Sequence, residues 1–161
     1  LPFPKLQALF DPLLPPGLQW YWRGDFLGQI SDEAMAIHQK YAQRFPDGLS
    51  IVHIYPIDGA ASRVLPGATA FSYRDAKWSM VIAGIDPNPA NSGLISRWAK
   101  EYWEELHPYS LGGAYVNFMM DEGATRIVRT YRDNFRRLTQ MKRKYDPTNL
   151  FCVNQNILPG E

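Results

Sequence analysis

At 161 residues, 45% of them hydrophobic and 20% charged, the chain is long enough for one soluble globular domain with a core of its own. A net charge of +1 removes any whole-chain electrostatic case for nucleic acid or a membrane surface as partner. The single cysteine, Cys152, excludes an internal disulfide and leans toward the cytoplasm, and no apolar run approaches the roughly 18 residues of a membrane span.

The chain opens at Leu1, without a charged leader region, so it does not begin with a signal peptide. A start of this kind, on what reads as domain interior, points to a piece of a longer protein. Pro2, Pro4, Pro12, Pro15 and Pro16 make the first residues loop, with at most a short helix through Leu6 to Phe10. Leu18 to Arg23 is aromatic-rich and suits a strand. Ser31 is a good N-cap, Asp32 and Glu33 suit the first helical turn, and Ile30 with Met35 fits a hydrophobic staple. Met35, His38, Tyr41, Ala42 and Phe45 keep helical spacing until Pro46 and Gly48.

Leu49 to Tyr55 reads as a β-branched strand, and Pro56 to Gly67 as turns with a short strand around Arg63 and Val64. Trp78 to Ile85 is the next strand, with Trp78, Met80, Ile82 and Gly84 on one face and Ser79, Val81, Ala83 and Ile85 on the other. After a turn at Asp86 to Gly93, a helix carries Leu94, Trp98, Tyr102 and Leu106 at i+4 spacing and stops before Pro108. Gly112 to Phe118 is expected as a short strand. One long helix from about Glu122 to Tyr145 should bury Ile127, Val128, Tyr131, Phe135, Leu138 and Met141, and Asp146-Pro147 stops it. The order lacks strict alternation of strand and helix. It implies an α+β fold, an antiparallel sheet covered by helices on one face.

Few residues announce chemistry. His38, His53 and His107 have no metal-ligand spacing, so no metal site is expected. Cys152 has no neighbouring histidine, and no serine stands in a G-x-S-x-G elbow. G-x-G-x-x-G and Walker loops are absent, so the chain has nothing to cradle a pyrophosphate. Arg126, Arg129, Arg132, Arg136, Arg137, Lys142, Arg143 and Lys144 make the last helix basic. A nucleic-acid patch is one reading; the regular apolar stripe beneath favours a solvated helix face. Trp20, Tyr21, Trp22, Trp78 and Tyr115 could line a pocket for a flat organic ligand or simply fill a core.

Two strings carry more. Gly112 to Phe118 (GGAYVNF) and Lys142 to Ile157 (KRKYDPTNLFCVNQNI) resemble the C-terminal signature of the berberine-bridge-enzyme-like family of FAD-linked oxidases, and the likeness runs from about Phe26 through Ala70 to Asp75 (AFSYRD). The resemblance implies a two-part enzyme that oxidises a hydroxyl-bearing or similar small organic substrate by hydride transfer to flavin N5. FAD would be held mainly by a domain that precedes this chain. Residues 1–145 would then be most of the substrate-binding domain, whose sheet roofs the flavin, and 146–161 a segment returning to the flavin domain. The fragment alone should be inactive, and dimerisation through its exposed face stays open.

Carried over by motif, Tyr115 and Asn117 face flavin and substrate, Asn154 contacts FAD, and Ser79, Trp78 and Phe118 join Asn117 along the pocket. Many members have a tyrosine base where this chain has Phe118 and an acid or amide where it has Ser79. Neither residue here is a general base, which leaves Tyr115, with Arg63 or Arg74 as a cation to lower its pKa, or a residue of the missing domain. A standalone module for aromatic small molecules, or a nucleic-acid module on the basic helix, are the alternative readings.

Overall fold

The computed structural model describes residues 1–13, 15–46 and 49–160. A three-stranded sheet organises it: β1 (Gln19–Leu27), β2 (Ile51–Pro56) and β3 (Trp78–Asp86). β3 lies between the other two and is antiparallel to both, with Phe26 opposite Ser79 on one side and Tyr55 opposite Ser79 on the other. β2 is an edge strand, and its outer edge pairs with no other strand among the described residues. The helices are α1 (Phe3–Gln7), α2 (Asp32–Ala42), α3 (Gly59–Arg63), α4 (Ser92–Leu106), α5 (Ala124–Tyr131) and α6 (Asn134–Tyr145). None of the described helices is long and apolar enough to cross a membrane.

Alternation along β3 sends Met80 and Ile82 to one face, where they meet Leu27 of β1 and Trp98, Ala99, Tyr102 and Leu106 of α4. Each such large side chain contributes about 1.5–3 kcal/mol when taken out of water. Gly84 lets α4 approach: a Cβ there would lie 2.7 Å from the Ile95 carbonyl oxygen. α2 closes the layer, with Tyr41 stacked on Tyr102 at 4.4 Å. This is the α+β fold with an antiparallel sheet covered by helices that the sequence implies. On the other face a smaller cluster of Phe26, Tyr73 and Ala76 packs with Phe71 and Leu111.

Local expectations met different fates. Ser31 caps α2, its Oγ accepting from the Ala34 N–H at 3.2 Å. Of the two expected staple residues, Ile30 packs against the core and Met35 is 45% exposed. Helix α2 ends at Ala42, before Phe45; Gly48, expected to help stop it, lies outside the described residues, as does Glu161. The short helix at the start begins at Phe3, ahead of Leu6, and continues as 3-10 turns from Ala8 to Leu13. Arg63 ends helix α3, so no strand forms there.

Gly112 to Phe118 is not a strand. The Phe26 N–H donates to the Gly113 carbonyl at 2.7 Å and the Leu111 N–H to Phe26 at 2.8 Å, but Gly112 at φ 90 then turns the chain, and Val116 to Phe118 is a single 3-10 turn. Gly113 is needed because a Cβ would meet the Tyr73 hydroxyl at 2.3 Å.

The expected single C-terminal helix is two. Arg132, at φ 47, breaks it between α5 and α6. Its guanidinium lies 3.6 Å over the Tyr73 ring and donates to Asp75 at 2.7 Å. Asn134 reinforces the break by donating to the carbonyls of Pro66 and Thr69 at 2.7 and 2.9 Å. These bonds offset the roughly 1–3 kcal/mol cost of a left-handed non-glycine residue. Val128 and Met141 are consequently exposed, whereas Arg126 and Thr130 are buried.

Arg126 is the bolt that holds α5 to β1. Its Nη2 donates to the Gly24 carbonyl at 2.5 Å and to Asp25 Oδ1 at 2.8 Å, and its Nε to Glu122 Oε2 at 3.2 Å. Asp25, wholly buried, also meets His107 Nδ1 at 2.9 Å. Of the other basic residues on this stretch, Arg132 pairs with Asp75, Arg137 donates to Gly67 and Lys142 pairs with Asp146, so the basic face is substantially engaged within the fold.

Candidate active site

The sheet face away from α2 and α4 builds the site. Odd-numbered residues of β2 and β3 point to it, so His53, Tyr55 and Ser79 share it with Trp20, Trp22 and Phe26 of β1. Phe26, Tyr55, Phe71, Ser79, Tyr115 and Phe118 line a cavity of about 460 Å³ there, with Asp58 on its rim. Gly24 admits the 115–118 turn over the sheet: a Cβ would stand 3.1 Å from the Phe118 carbonyl oxygen.

Phe118 sits between two phenols. Its ring stacks on Tyr55 with centroids 5.8 Å apart and meets Tyr115 edge-on at 5.3 Å. The Tyr115 hydroxyl accepts from Asn117 Nδ2 at 2.8 Å. The Tyr55 hydroxyl stands 2.5 Å from His53 Nδ1, and burial pushes its pKa above the ordinary phenol value. Ser79 Oγ is buried without a hydrogen-bond partner. An orphaned hydroxyl in a cavity wall costs about 1–3 kcal/mol until a ligand or water satisfies it.

A second cavity, of about 570 Å³, lies beside the first and shares the 115–118 turn as wall. Trp22, Asn117, Met120, Tyr131, Asn154 and Gln155 are among its lining residues. The terminal segment is folded onto it by two devices. Asp146 accepts from Lys142 and from the N–H groups of Leu150 and Phe151 at 2.7 and 3.0 Å, which holds its carboxyl below the usual carboxylate range. Gln155 Nε2 donates to the carbonyls of Met119 and Met120, each at 3.0 Å. Asn154, at φ 60, is among the residues lining the cavity. Leu150, Phe151, Val153 and Leu158 along this segment are 65–78% exposed.

The structure therefore gathers Ser79, Tyr115 and Phe118 around one cavity and Asn117 and Asn154 around its neighbour. Trp78 is elsewhere. It adjoins Ser79 in sequence and so points the other way, into the helix-side core. The same alternation splits the aromatic set: Tyr21 also packs on the helix side, while Trp20 and Trp22 meet edge-on at 6.1 Å on the cavity side. Neither expected cation reaches Tyr115. Arg74 donates to the Ala61 and Phe71 carbonyls and to Thr69, and Arg63 is exposed at the end of α3. His53 and Tyr55 were not singled out for catalysis, although their i,i+2 spacing on a strand is the signal that places both on one face. His38 and His107 are bound into the helix layer, Cys152 is exposed, and no group of three metal-ligating side chains occurs among the described residues.

As a flavin contact this donor set is partial. The orphaned Ser79 hydroxyl, the two phenols and the Asn117 and Asn154 amides suit the edge of a heteroaromatic ring and a polar substrate. No glycine-rich helix N-terminus among the described residues offers a pyrophosphate its backbone N–H groups.

Known proteins resemble the chain over most of its length. The family profile described as "Berberine and berberine like" matches residues 114–158, the stretch that holds Tyr115, Asn117 and Asn154. Over 161 residues the chain is 29% identical to an FAD-linked oxidoreductase of Dictyostelium discoideum, covering 99% of this chain and 35% of that one. It is 30% identical over 137 residues to the FAD-linked oxidoreductase YgaK of Bacillus subtilis, covering 84% of this chain and 30% of that one. The solved structure of Physcomitrella patens BBE-like 1 superimposes with a TM-score of 0.78 at 21% identity, over 88% of this chain and 31% of the other. The chain thus spans about a third of the length of the relatives it matches.

Proposed function

Since the chain belongs to the berberine bridge enzyme-like family of FAD-linked oxidoreductases, we propose that it is the substrate-binding part of a flavin-dependent oxidoreductase acting on a hydroxyl-bearing small organic molecule. The observation that carries this reading is the cavity of about 460 Å³ walled by Tyr55, Ser79, Tyr115 and Phe118, in a chain with no phosphate cradle among its described residues. Such a chain can shape a substrate and cover a ring, but it leaves the cofactor's phosphates to polypeptide outside it. FAD, when bound, supplies the acceptor for a hydride at N5.

The positions of this chain's residues support the following roles. Asn117 and Asn154 contact the ring, and the exposed apolar row from Leu150 to Leu158 docks on the flavin domain, where burial of such a patch is favourable. Ser79 holds the substrate oxygen with the hydroxyl that otherwise lacks a partner. Tyr115, whose oxygen already accepts from Asn117, keeps its own proton free to donate to that substrate oxygen. Phe118 closes one side of the cavity and excludes water. The chain by itself is inactive.

The visible spectrum of the intact gene product, purified and then acid-precipitated, tests the reading. Yellow protein supports it, and colour staying in the pellet identifies covalent FAD. Colourless full-length protein that takes up no added FAD overturns it.

A further inference from the structure

Building on the oxidoreductase reading above, we propose that Tyr55 and His53 form a proton relay: Tyr55 takes the proton of the substrate hydroxyl while passing its own to His53 Nδ1. The two residues stand at i and i+2 on β2, on the cavity face, with Tyr55 Oη 2.5 Å from His53 Nδ1. Tyr55 lies opposite Ser79 in the ladder and lines the same cavity, and the buried Ser79 hydroxyl has no partner; the relay places the substrate oxygen between these two residues.

A lone phenol is a poor base near neutrality, with an unperturbed pKa of about 10, and burial raises that of Tyr55. A relay avoids the obstacle, because the phenol never has to stand as phenolate. It gives up one proton as it receives another, and histidine is the side chain suited to hold a proton near pH 7. Tyr115 lacks this arrangement. Among the described residues its hydroxyl makes one hydrogen bond, accepted from Asn117, and its proton has no acceptor. Phe118 has no proton to exchange.

The balance is simple. The substrate O–H bond breaks and its proton goes to Tyr55 Oη. The Tyr55 proton moves to His53 Nδ1, giving an imidazolium. The oxygen's electron pair closes the carbonyl as the carbinol hydrogen leaves with its own pair to the oxidised flavin, the acceptor named above. His53, partly exposed on the edge strand β2, returns the proton to water. Around this pair the other titratable groups on the cavity wall are Asp58 and Tyr115; Val81, opposite His53, and Phe118, stacked on Tyr55, carry none.

Two measurements test the relay. The chain has 3 histidines, so the imidazole 15N signals of His38, His53 and His107 can be assigned in the chain itself. The relay requires His53 to carry its hydrogen on Nε2 when neutral, with an Nδ1 signal that moves on Tyr55→Phe. A neutral His53 protonated on Nδ1, or one indifferent to Tyr55→Phe, overturns it without reference to activity.

The second measurement is anaerobic flavin bleaching by the FAD-loaded full-length protein, with a panel of mono- and disaccharides and benzylic alcohols as probes. His53→Gln keeps an acceptor for Tyr55 but cannot hold the proton. It should bleach about 10²–10³-fold more slowly at unchanged flavin content and lack the fall in rate at acid pH that the relay requires of the wild type. Bleaching within about threefold of wild type, with the acid limb intact, overturns the relay and leaves the flavoenzyme reading standing. Protein that holds no flavin, or whose flavin no member of the panel bleaches, overturns the hydroxyl-oxidation reading and the relay with it.

Discussion

Tyr55 stands directly across from Ser79 in the ladder between β2 and β3, and both residues line the same cavity. Ser79 brings a hydroxyl with no partner in the fold, which sets apart its effect on stability from its effect on binding. Ser79→Ala should leave thermal stability unchanged within about 0.5 kcal/mol, or raise it, because an unsatisfied buried hydroxyl is removed. In the full-length protein it should raise KM for the alcohol substrate more than it lowers kcat. A loss of more than about 1 kcal/mol in denaturant unfolding would mean that the hydroxyl has a partner in the folded chain.

Arg126 predicts the opposite pattern. It is buried among Asp25, Glu122 and the carbonyls of Gly24 and Gly112, far in function from the cavity. Arg126→Met leaves the wholly buried Asp25 carboxylate with His107 as its one side-chain partner among the described residues. The expected loss is about 3–5 kcal/mol in urea unfolding, with the double variant Asp25→Asn, Arg126→Met recovering part of it. An Arg126→Met protein as stable as the parent would show that the ion pair does not hold α5 to the sheet.

His38 makes stability depend on pH. Burial holds its pKa below the ordinary histidine value, its Nδ1 meets the Tyr102 hydroxyl at 2.6 Å, and its Nε2 is buried without a partner. The unfolded chain therefore takes up the proton first. The contribution is full above the unfolded value of about 6.5 and is lost as pH falls from there toward the lower folded value. Thermal melting between pH 7.5 and 5 should show this decline, and His38→Gln should flatten it. An unchanged slope in His38→Gln would assign the effect to another group.

Asn154 should matter for cofactor retention alone. It occupies φ 60, a conformation that glycine adopts without strain, so Asn154→Gly removes the amide and keeps the backbone. The full-length variant should release FAD more readily on gel filtration while its melting profile without FAD matches the parent. Equal flavin occupancy in variant and parent would remove Asn154 from the contact set.

Tyr115→Phe in the full-length protein should lower turnover by about tenfold, the scale of one hydrogen bond of about 1.4 kcal/mol made to the substrate oxygen. Its flavin content should be unchanged. The effect should be smaller than that of His53→Gln. Equal or larger loss at Tyr115 would return the proton-accepting role to this residue.

Much of this was legible before any coordinates. The β-branched and aromatic alternation of β1, β2 and β3, the Ser31 cap and the apolar stripe of α4 are local signals, and each produced its element. The break at Arg132 was not legible. No glycine or proline marks it, the helical period continues across it, and its cause is a ring and a carboxylate, Tyr73 and Asp75, that come from far along the chain. The run from Gly112 to Phe118 read as a strand, and nothing in it signalled that Tyr73 would fill the space beside Gly113. At the site, motif residues Tyr115, Asn117 and Asn154 were visible as motif. Tyr55 escaped because a histidine and a tyrosine in an apolar strand look like packing until the opposite strand shows what they face.

The outer edge of β2 has a further consequence. An edge strand offers a row of backbone donors and acceptors, and Ile51 to Pro56 carries no lysine, no acidic residue and no internal proline to discourage a newcomer. Two copies of the separated chain can lay these edges side by side about a two-fold axis and double the sheet. Self-association by that route would make affinities and melting temperatures measured on the separated chain shift with protein concentration, and a lysine placed on that edge would be the simplest remedy.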